Sequence, residues 1–114
     1  MEIRIIKDSI HREELRATWR KFSVEEQLGN IGSEVSRASR WQDKDEKLYN
    51  GAVDRALELF DMTLEDPRWH GPVLKEIALA REVFCDAFFG GKEYGTTFKN
   101  LQPYFDQFAL AVRR

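Results

Sequence analysis

The segment SVEEQLGNIGSEVSRASRW, residues 23–41, decides the fold class of this chain. It opens with a capping box, because the hydroxyl of Ser23 can accept a hydrogen bond from the Glu26 amide while the Glu26 carboxylate reaches back to the Ser23 amide. Apolar residues then follow at three- and four-residue intervals, at Val24, Leu28, Ile31, Val35 and Ala38. This spacing predicts a helix with one buried face.

A stripe of small residues runs beside that buried face: Gly29, Gly32, Ser36 and Ser39. A glycine inside a helix costs about 1 kcal/mol relative to alanine. We expect a neighbouring helix to offset this cost by approaching closely along the stripe. A groove that holds a ligand is the alternative.

Three more segments carry the same helical pattern. A third helix is predicted over about residues 46–65, and it ends at Asp66-Pro67 because a residue before proline avoids the helical region. The fourth begins at Gly71-Pro72, with proline in its first turn, and ends at Gly90-Gly91. A fifth helix follows, but Pro103 fits only in a first turn. We therefore expect its regular part to begin near residues 100–102, after at most one preceding turn.

The N-terminal residues carry weaker signals. Ile3, Ile5 and Ile6 hint at a short extended arm, and a charged stretch from residue 8 or 9 to residue 20 predicts a short helix. The apolar stripe of that helix is thin, so it either lies across the bundle or serves a partner.

Together these elements predict an all-α fold, an antiparallel up-and-down helical bundle of four main helices plus a short N-terminal helix. We expect one domain overall, with the arm and short helix over residues 1–22 and the four-helix bundle over residues 23–114. The length of 114 residues suits a single core, and 42% hydrophobic with 33% charged residues is typical of a globular protein.

Composition argues against whole classes of function. Eighteen Lys and Arg against twenty Asp and Glu give a charge of −2, so no overall basic excess favours nucleic acid. No apolar run approaches the roughly 20 residues of a membrane span. The single Cys85 excludes an internal disulfide, and His11 and His70 are too few and too far apart to suggest a metal centre. We expect a cytoplasmic protein without a secretory signal, a metal or a cofactor.

Arg81 is the first candidate for a functional role. It lies in line with core positions of the fourth helix, so its guanidinium must meet oxygen atoms at the core or its edge. The carboxylates within reach are Glu34 on the second helix and a stripe on the third, Asp54, Glu58, Asp61 and Glu65. We expect a structural ion-pair cluster of Arg81, Glu34, Asp54 and Glu58. A functional site built on Arg81 is the alternative.

A second candidate lies at the end of the second helix, where Arg37, Arg40 and Trp41 precede Lys44. The simplest use of these cations is to neutralise the acidic stripe of the third helix. If they do not meet it, they form a patch that could stack a base and hold a phosphate. The candidate ligand-binding residues are therefore Arg37, Arg40, Trp41 and Arg81, and no catalytic residue is assigned.

Aromatic residues are concentrated in the last third of the chain, and most of them are expected in the core. Phe88 and Phe89 are adjacent, so both cannot point to the same side of a helix. One of them is expected in a subunit interface, where aromatic side chains are enriched.

The segments LGNIGSEVSRASRW (residues 28–41) and REVFCDAFFGGKEYG (residues 81–95) resemble small uncharacterised prokaryotic helical bundles of the HEPN type. The resemblance covers roughly residues 24–112. It implies either a metal-independent RNase, often a toxin, or a non-catalytic partner of a minimal nucleotidyltransferase. The RNase branch uses an Arg followed four to six residues later by His, and this pattern is absent because Arg68-Trp69-His70 has a different spacing.

Two functional hypotheses follow from these observations. The first is a small cytoplasmic interaction protein, without chemistry of its own, that forms a homo-oligomer or pairs with a partner protein as in toxin–antitoxin or nucleotidyltransferase systems. The alternative is an RNA- or nucleotide-binding bundle, or a divergent metal-independent RNase. No membrane partner is expected in either case.

Overall fold

A computed structural model describes residues 12–113. The chain is helical over residues 12–19, called α1 here, and then forms α2 (Val24–Trp41), α3 (Glu46–Leu64), α4 (Gly71–Phe88) and α5 (Phe98–Val112). No strand occurs in this range, so the predicted all-α bundle is confirmed. The expected arm at Ile3, Ile5 and Ile6 and the expected first turn of the short helix lie outside the described residues.

The four long helices run antiparallel to their neighbours. Tyr49, near the start of α3, stacks on Phe88 at the end of α4, and Asp61, near the end of α3, pairs with Arg81 in the middle of α4. In the pairs α2–α3, α4–α5 and α2–α5, the start of one helix likewise lies beside the end of the other. Helix α2 packs extensively on both α3 and α5, whereas α4 packs less closely on its two neighbours.

Aromatic rings from three helices fill the centre of the bundle. Phe60 of α3, Phe84 of α4, and Phe98 and Phe105 of α5 are almost completely buried. The ring centroid of Phe84 lies 5.5 Å from that of Phe60 and 5.4 Å from that of Phe98, within the favourable range for aromatic pairs. This cluster joins α3, α4 and α5 at the centre of the bundle.

The small-residue stripe of α2 is the surface on which α5 packs. A Cβ atom placed on Gly32 would lie 2.6 Å from Cβ of Phe105, and one placed on Gly29 would lie 3.4 Å from Cα of Ala109. The predicted close helix approach is therefore confirmed at both glycines. Since Phe105 of α5 occupies the space beside Gly32, the alternative of a ligand groove does not hold at that residue.

Most predicted helix boundaries are also confirmed. The capping box of Ser23 and Glu26 is present, and α3 and α4 begin and end within two residues of their predicted limits. Helix α5 begins at Phe98, within the one preceding turn that was expected, but it continues unbroken through Pro103, so the expectation that this proline lies in a first turn is wrong. A second capping box, in which the side chains of Thr97 and Asn100 accept from each other's backbone N–H, stabilises the turn before the proline.

Within residues 12–113, no helix is both long and apolar enough to cross a bilayer.

Candidate functional site

Arg37 is held in an ion-pair cluster between α2 and α3. Its terminal nitrogen lies 2.6 Å from one oxygen of Glu34 on the same helix, and Nε of Arg55 on α3 lies 3.1 Å from the other oxygen. The Glu34 carboxylate is largely buried while both guanidinium groups remain half exposed. We expected arginines of α2 to meet carboxylates of α3. The contact has the opposite arrangement, with the carboxylate of Glu34 on α2 and the guanidinium of Arg55 on α3.

Arg40 and Trp41 lie further along α2. Arg40 is exposed, and Trp41 is half-buried. Arg40 borders a polar cavity of about 360 Å³ between α2 and α5, with Lys99, Ser36 and Ser39 among its lining residues. Arg40 and Lys44 of the predicted patch are both exposed, and Arg40 is the one that borders this cavity.

Arg81 lies at the edge of the core, as its helical position predicts, and its partner Asp61 belongs to the expected acidic stripe of α3 but not to the expected cluster. Its Nε lies 3.4 Å from a carboxylate oxygen of Asp61, and a terminal nitrogen donates to the sulfur of Cys85 at 3.9 Å. The expected cluster with Glu34, Asp54 and Glu58 is wrong. Helical spacing indicated that Arg81 faces the acidic side of α3. Which carboxylate it meets depends on how far α3 and α4 are shifted along each other, and this shift places Asp61 beside Arg81.

The other predicted acidic residues face α1. Asp54 and Glu58 line an open cavity of about 400 Å³ together with Arg12 and Arg16. Arg16 forms an ion pair with Glu65, 3.1 Å from Nε to the carboxylate, and this contact helps to hold α1 against α3. Nowhere in the described part of the chain do three His, Cys, Asp or Glu side chains form a group able to hold a metal ion.

The four candidate ligand residues are therefore not brought together. Arg37, Arg40 and Trp41 share α2, whereas Arg81 lies on α4, which is diagonal to α2 in the bundle. Arg37 and Arg81 are each held in an ion pair. Of the four candidates, Arg40 is the arginine that forms no ion pair among the described contacts, and Lys99 lies beside it on the same cavity.

Sequence reasoning missed a buried polar network where α1, α2 and α3 meet. The fully buried amide of Gln27 donates to the backbone oxygen of Trp19 at 2.9 Å and accepts from the indole N–H of Trp69 at 2.8 Å. The indole N–H of Trp19 in turn donates to the hydroxyl of Thr63 at 2.9 Å. A signal was present, because Gln27 lies on the apolar stripe of α2, three residues after Val24 and four before Ile31.

Asp66 completes this network from the loop after α3. Its carboxylate is nearly inaccessible to solvent and accepts from Nε and a terminal nitrogen of Arg68 at 3.0 and 2.7 Å, and from Gln27 at 3.3 Å. The hydrogen bond from the Arg68 side chain is the main cause that lowers the pKa of Asp66 below its ordinary value, although burial opposes this effect. Arg68 also donates to the backbone oxygen of Phe22 at 2.7 Å. The network is fully paired and therefore structural.

A second buried carboxylate organises the loop between α4 and α5. Asp86 accepts from the backbone N–H groups of Glu93, Tyr94 and Thr96 at 3.0, 3.2 and 3.1 Å. Burial alone would raise the pKa of Asp86, but these hydrogen bonds stabilise the ionised form and bring the pKa below its ordinary value. The loop is thus fixed on α4 by one side chain.

The end of α4 exposes aromatic surface. Phe89 is 72% exposed, and Phe88 is 38% exposed although its ring stacks on Tyr49 with a centroid distance of 6.2 Å. The rings of Phe88 and Phe89 meet edge to face at 5.2 Å. We call these three residues, Tyr49, Phe88 and Phe89, the aromatic end patch. The sequence signal for it was the pair of adjacent phenylalanines.

An apolar groove of about 540 Å³ separates α4 from α5. Leu79, Ala80 and Val83 line it from α4, and Leu101 and Tyr104 line it from α5; we call it the α4–α5 groove. Burial, with the nearby Glu76 carboxylate as a second cause, raises the pKa of Tyr104, whose hydroxyl donates to Glu76 at 3.1 Å. Periodicity did not predict this groove, because it depends on how far α4 and α5 diverge.

No protein-family model, curated protein sequence or solved structure matches this chain.

Proposed function

We propose that this protein is a small cytoplasmic interaction module, without chemistry of its own, that works as a homo-oligomer or paired with a partner protein. The pairing would be of the toxin–antitoxin or nucleotidyltransferase-partner kind implied by the HEPN-type resemblance. The observation that carries the proposal is the aromatic end patch, in which the ring of Phe89 is 72% exposed. Aromatic residues are enriched in protein interfaces, where they lose their contact with water.

The charged candidates add support to an interaction role. Arg37 is paired with Glu34, and Arg81 is paired with Asp61. The two arginines therefore lie in separate ion pairs and do not point into one shared site. The buried carboxylates of Asp66 and Asp86 are saturated by hydrogen bonds within the fold. Hydrogen bonds within the fold thus account for the burial of both carboxylates without a substrate.

The test is size-exclusion chromatography with light scattering at low salt, recording the absorbance ratio at 260 and 280 nm. We expect an oligomer with a protein-like ratio, and we expect Phe89→Ser to weaken it. Leu110→Ser is the matched control, because Leu110 is 56% exposed but lies on α5 outside the patch. A monomer that also binds no product of neighbouring genes on co-expression would contradict the proposal.

The alternative function, an RNA- or nucleotide-binding bundle or a divergent RNase, has one observation in its favour. Arg40 and Lys99 border a polar cavity that is also lined by Ser36 and Ser39, and by the acidic Asp106. Two cations and hydroxyl donors suit a phosphate group. A raised absorbance ratio at 260 nm that disappears in the double variant Arg40→Ala/Lys99→Ala would favour this alternative, while retention of the nucleic acid by that variant would exclude this site.

A further inference from the structure

Helix α4 has an exposed apolar residue at the middle of its outer side. Leu79 is 53% exposed on the rim of the α4–α5 groove, whereas the next groove residue, Ala80, is buried. The groove is open because α4 packs less closely on α5 than α2 does. An apolar rim beside an apolar groove is a surface suited to a second helix.

Opposite charges flank Leu79 on the same helix. Lys75 precedes it by four residues and Glu82 follows it by three, and both are exposed. With 3.6 residues per turn, both lie about 40–60° to the same side of Leu79 around the helix axis. Along the axis, Lys75 is about 6 Å before Leu79 and Glu82 about 4.5 Å after it.

We propose that the surface of α4 around Leu79 binds the same surface of a second copy of this chain, with the two α4 helices antiparallel about a two-fold axis at Leu79. This inference rests on the proposed interaction function, names a second copy as the partner, and adds a contact on α4 that is separate from the aromatic end patch. Such an interface is isologous, so every contact occurs twice.

The charge pattern is self-complementary in this arrangement. A two-fold axis perpendicular to the helices reverses the position of each residue along its helix but keeps the residue on the same side of the interface. Measured along the helix direction, Lys75 then lies within about 2 Å of Glu82 in the second copy. Two equivalent ion pairs then flank a central contact between the Leu79 side chains. The Glu82 carboxylate raises the pKa of the nearby Tyr94, and an oxygen of Glu82 can accept a hydrogen bond from the lysine of the second copy.

The size of the contact sets the expected affinity. The 18 residues of α4 span about 27 Å, so one helix pair buries less than the roughly 800 Å² per partner of a standard interface. We therefore expect a concentration-dependent dimer with a Kd of about 1–100 µM.

Sedimentation velocity of the full chain over a concentration series tests the proposal. We expect Leu79→Asp to weaken the dimer at least about tenfold, because it places two carboxylates at the centre of an apolar contact. Ala78→Asp is the matched control, since Ala78 is exposed but turned about 100° away from Leu79. Far-ultraviolet circular dichroism checks that each variant is folded.

A charge exchange tests the antiparallel register. Lys75→Glu and Glu82→Lys each place like charges at both flanks, so each variant alone should dimerise more weakly than the native chain. Mixing the two variants places a carboxylate opposite a lysine at both flanks, so the mixture should form heterodimers of near-native affinity. The double variant Lys75→Glu/Glu82→Lys should recover self-association in the same way.

The outcomes separate this inference from the proposed function. A native dimer that Leu79→Asp leaves unchanged, or single charge variants that do not recover on mixing, would overturn the α4 pairing while the interaction function stands. A native chain that stays monomeric at 1 mM, about ten times the weakest expected Kd, would also overturn the pairing. The interaction function would then depend on the co-expression test with neighbouring gene products.

Discussion

The indole N–H of Trp69, in the loop between α3 and α4, donates a 2.8 Å hydrogen bond to the side-chain oxygen of Gln27 on α2. The same Gln27 side chain donates to the backbone oxygen of Trp19 at the end of α1. One buried amide therefore joins a loop, a long helix and the short N-terminal helix. Because Trp19 is itself buried, α1 packs on its own bundle at this end.

Replacing Gln27 by leucine should destabilise the fold strongly. Gln27→Leu keeps the volume but leaves the Trp69 indole N–H without its partner and removes one of the two hydrogen bonds to the Trp19 carbonyl, which should lower the free energy of unfolding by about 2 kcal/mol. Urea denaturation measures this change. Gln107→Leu is the matched control, since Gln107 is exposed on α5 and should change stability by less than about 0.5 kcal/mol. Equal effects in both variants would contradict the role of the network.

Asp66 should make the fold sensitive to acid. Its pKa in the folded chain is lowered, so its contribution is fully present above its unfolded-state pKa near 3.8 and is lost as the pH falls through the folded-state value. We expect Asp66→Asn to reduce stability at pH 7 and to flatten the decline of stability below about pH 5. Thermal melts from pH 7 to pH 2 measure both effects. Parallel pH profiles of the native chain and the variant would contradict this prediction.

The glycines of α2 and α3 should respond in opposite directions to alanine. Gly32→Ala would force its Cβ against Cβ of Phe105 at 2.6 Å, and we expect a net loss of about 1–3 kcal/mol despite the better helix propensity. Gly51→Ala meets only the flexible end of Arg55 at 3.2 Å, and should gain up to about 1 kcal/mol. Chemical denaturation of the two variants provides the comparison. A stabilised Gly32→Ala would mean that α5 does not pack here as described.

Arg81 should contribute little to stability. Its side chain is 38% exposed and its ion pair with Asp61 spans 3.4 Å, so screening by water limits the attraction. Arg81→Met should lower the free energy of unfolding by less than about 1 kcal/mol, and a double-mutant cycle with Asp61→Asn should give a coupling below that value. A larger loss would indicate the buried cluster that the sequence had suggested.

Asp86 should control the order of the α4–α5 loop. Asp86→Ala removes the acceptor of three backbone N–H groups, so amide hydrogen exchange at Glu93, Tyr94 and Thr96 should accelerate at least about tenfold while core amides of α2 are unchanged. Asp106→Ala is the control, because Asp106 is exposed and accepts only from the Gln102 side chain among the described contacts. Unchanged exchange at the three loop amides would show that other contacts hold the loop.

The helix set was predictable because its signals are local. Capping at Ser23, the stop at Asp66-Pro67 and the start at Gly71-Pro72 depend on backbone groups within a few residues. The continuity of α5 through Pro103 escaped prediction because proline sterics favour a place in the first turn of a helix. The Thr97–Asn100 capping box and the burial of Phe98 outweigh that local cost.

The sequence by itself determined that the chain is an antiparallel helical bundle, which helices compose it, and that α2 offers a small-residue surface to a neighbour. Only the tertiary structure decided which neighbour takes that surface, which carboxylate meets Arg81, and that Gln27 and Asp66 belong to one buried network. The physical reason is that periodicity specifies the direction of a side chain around its own helix. The stagger and separation of two helices depend instead on the packing of the whole core. They decide in turn which carboxylate meets Arg81 and how wide the α4–α5 groove is.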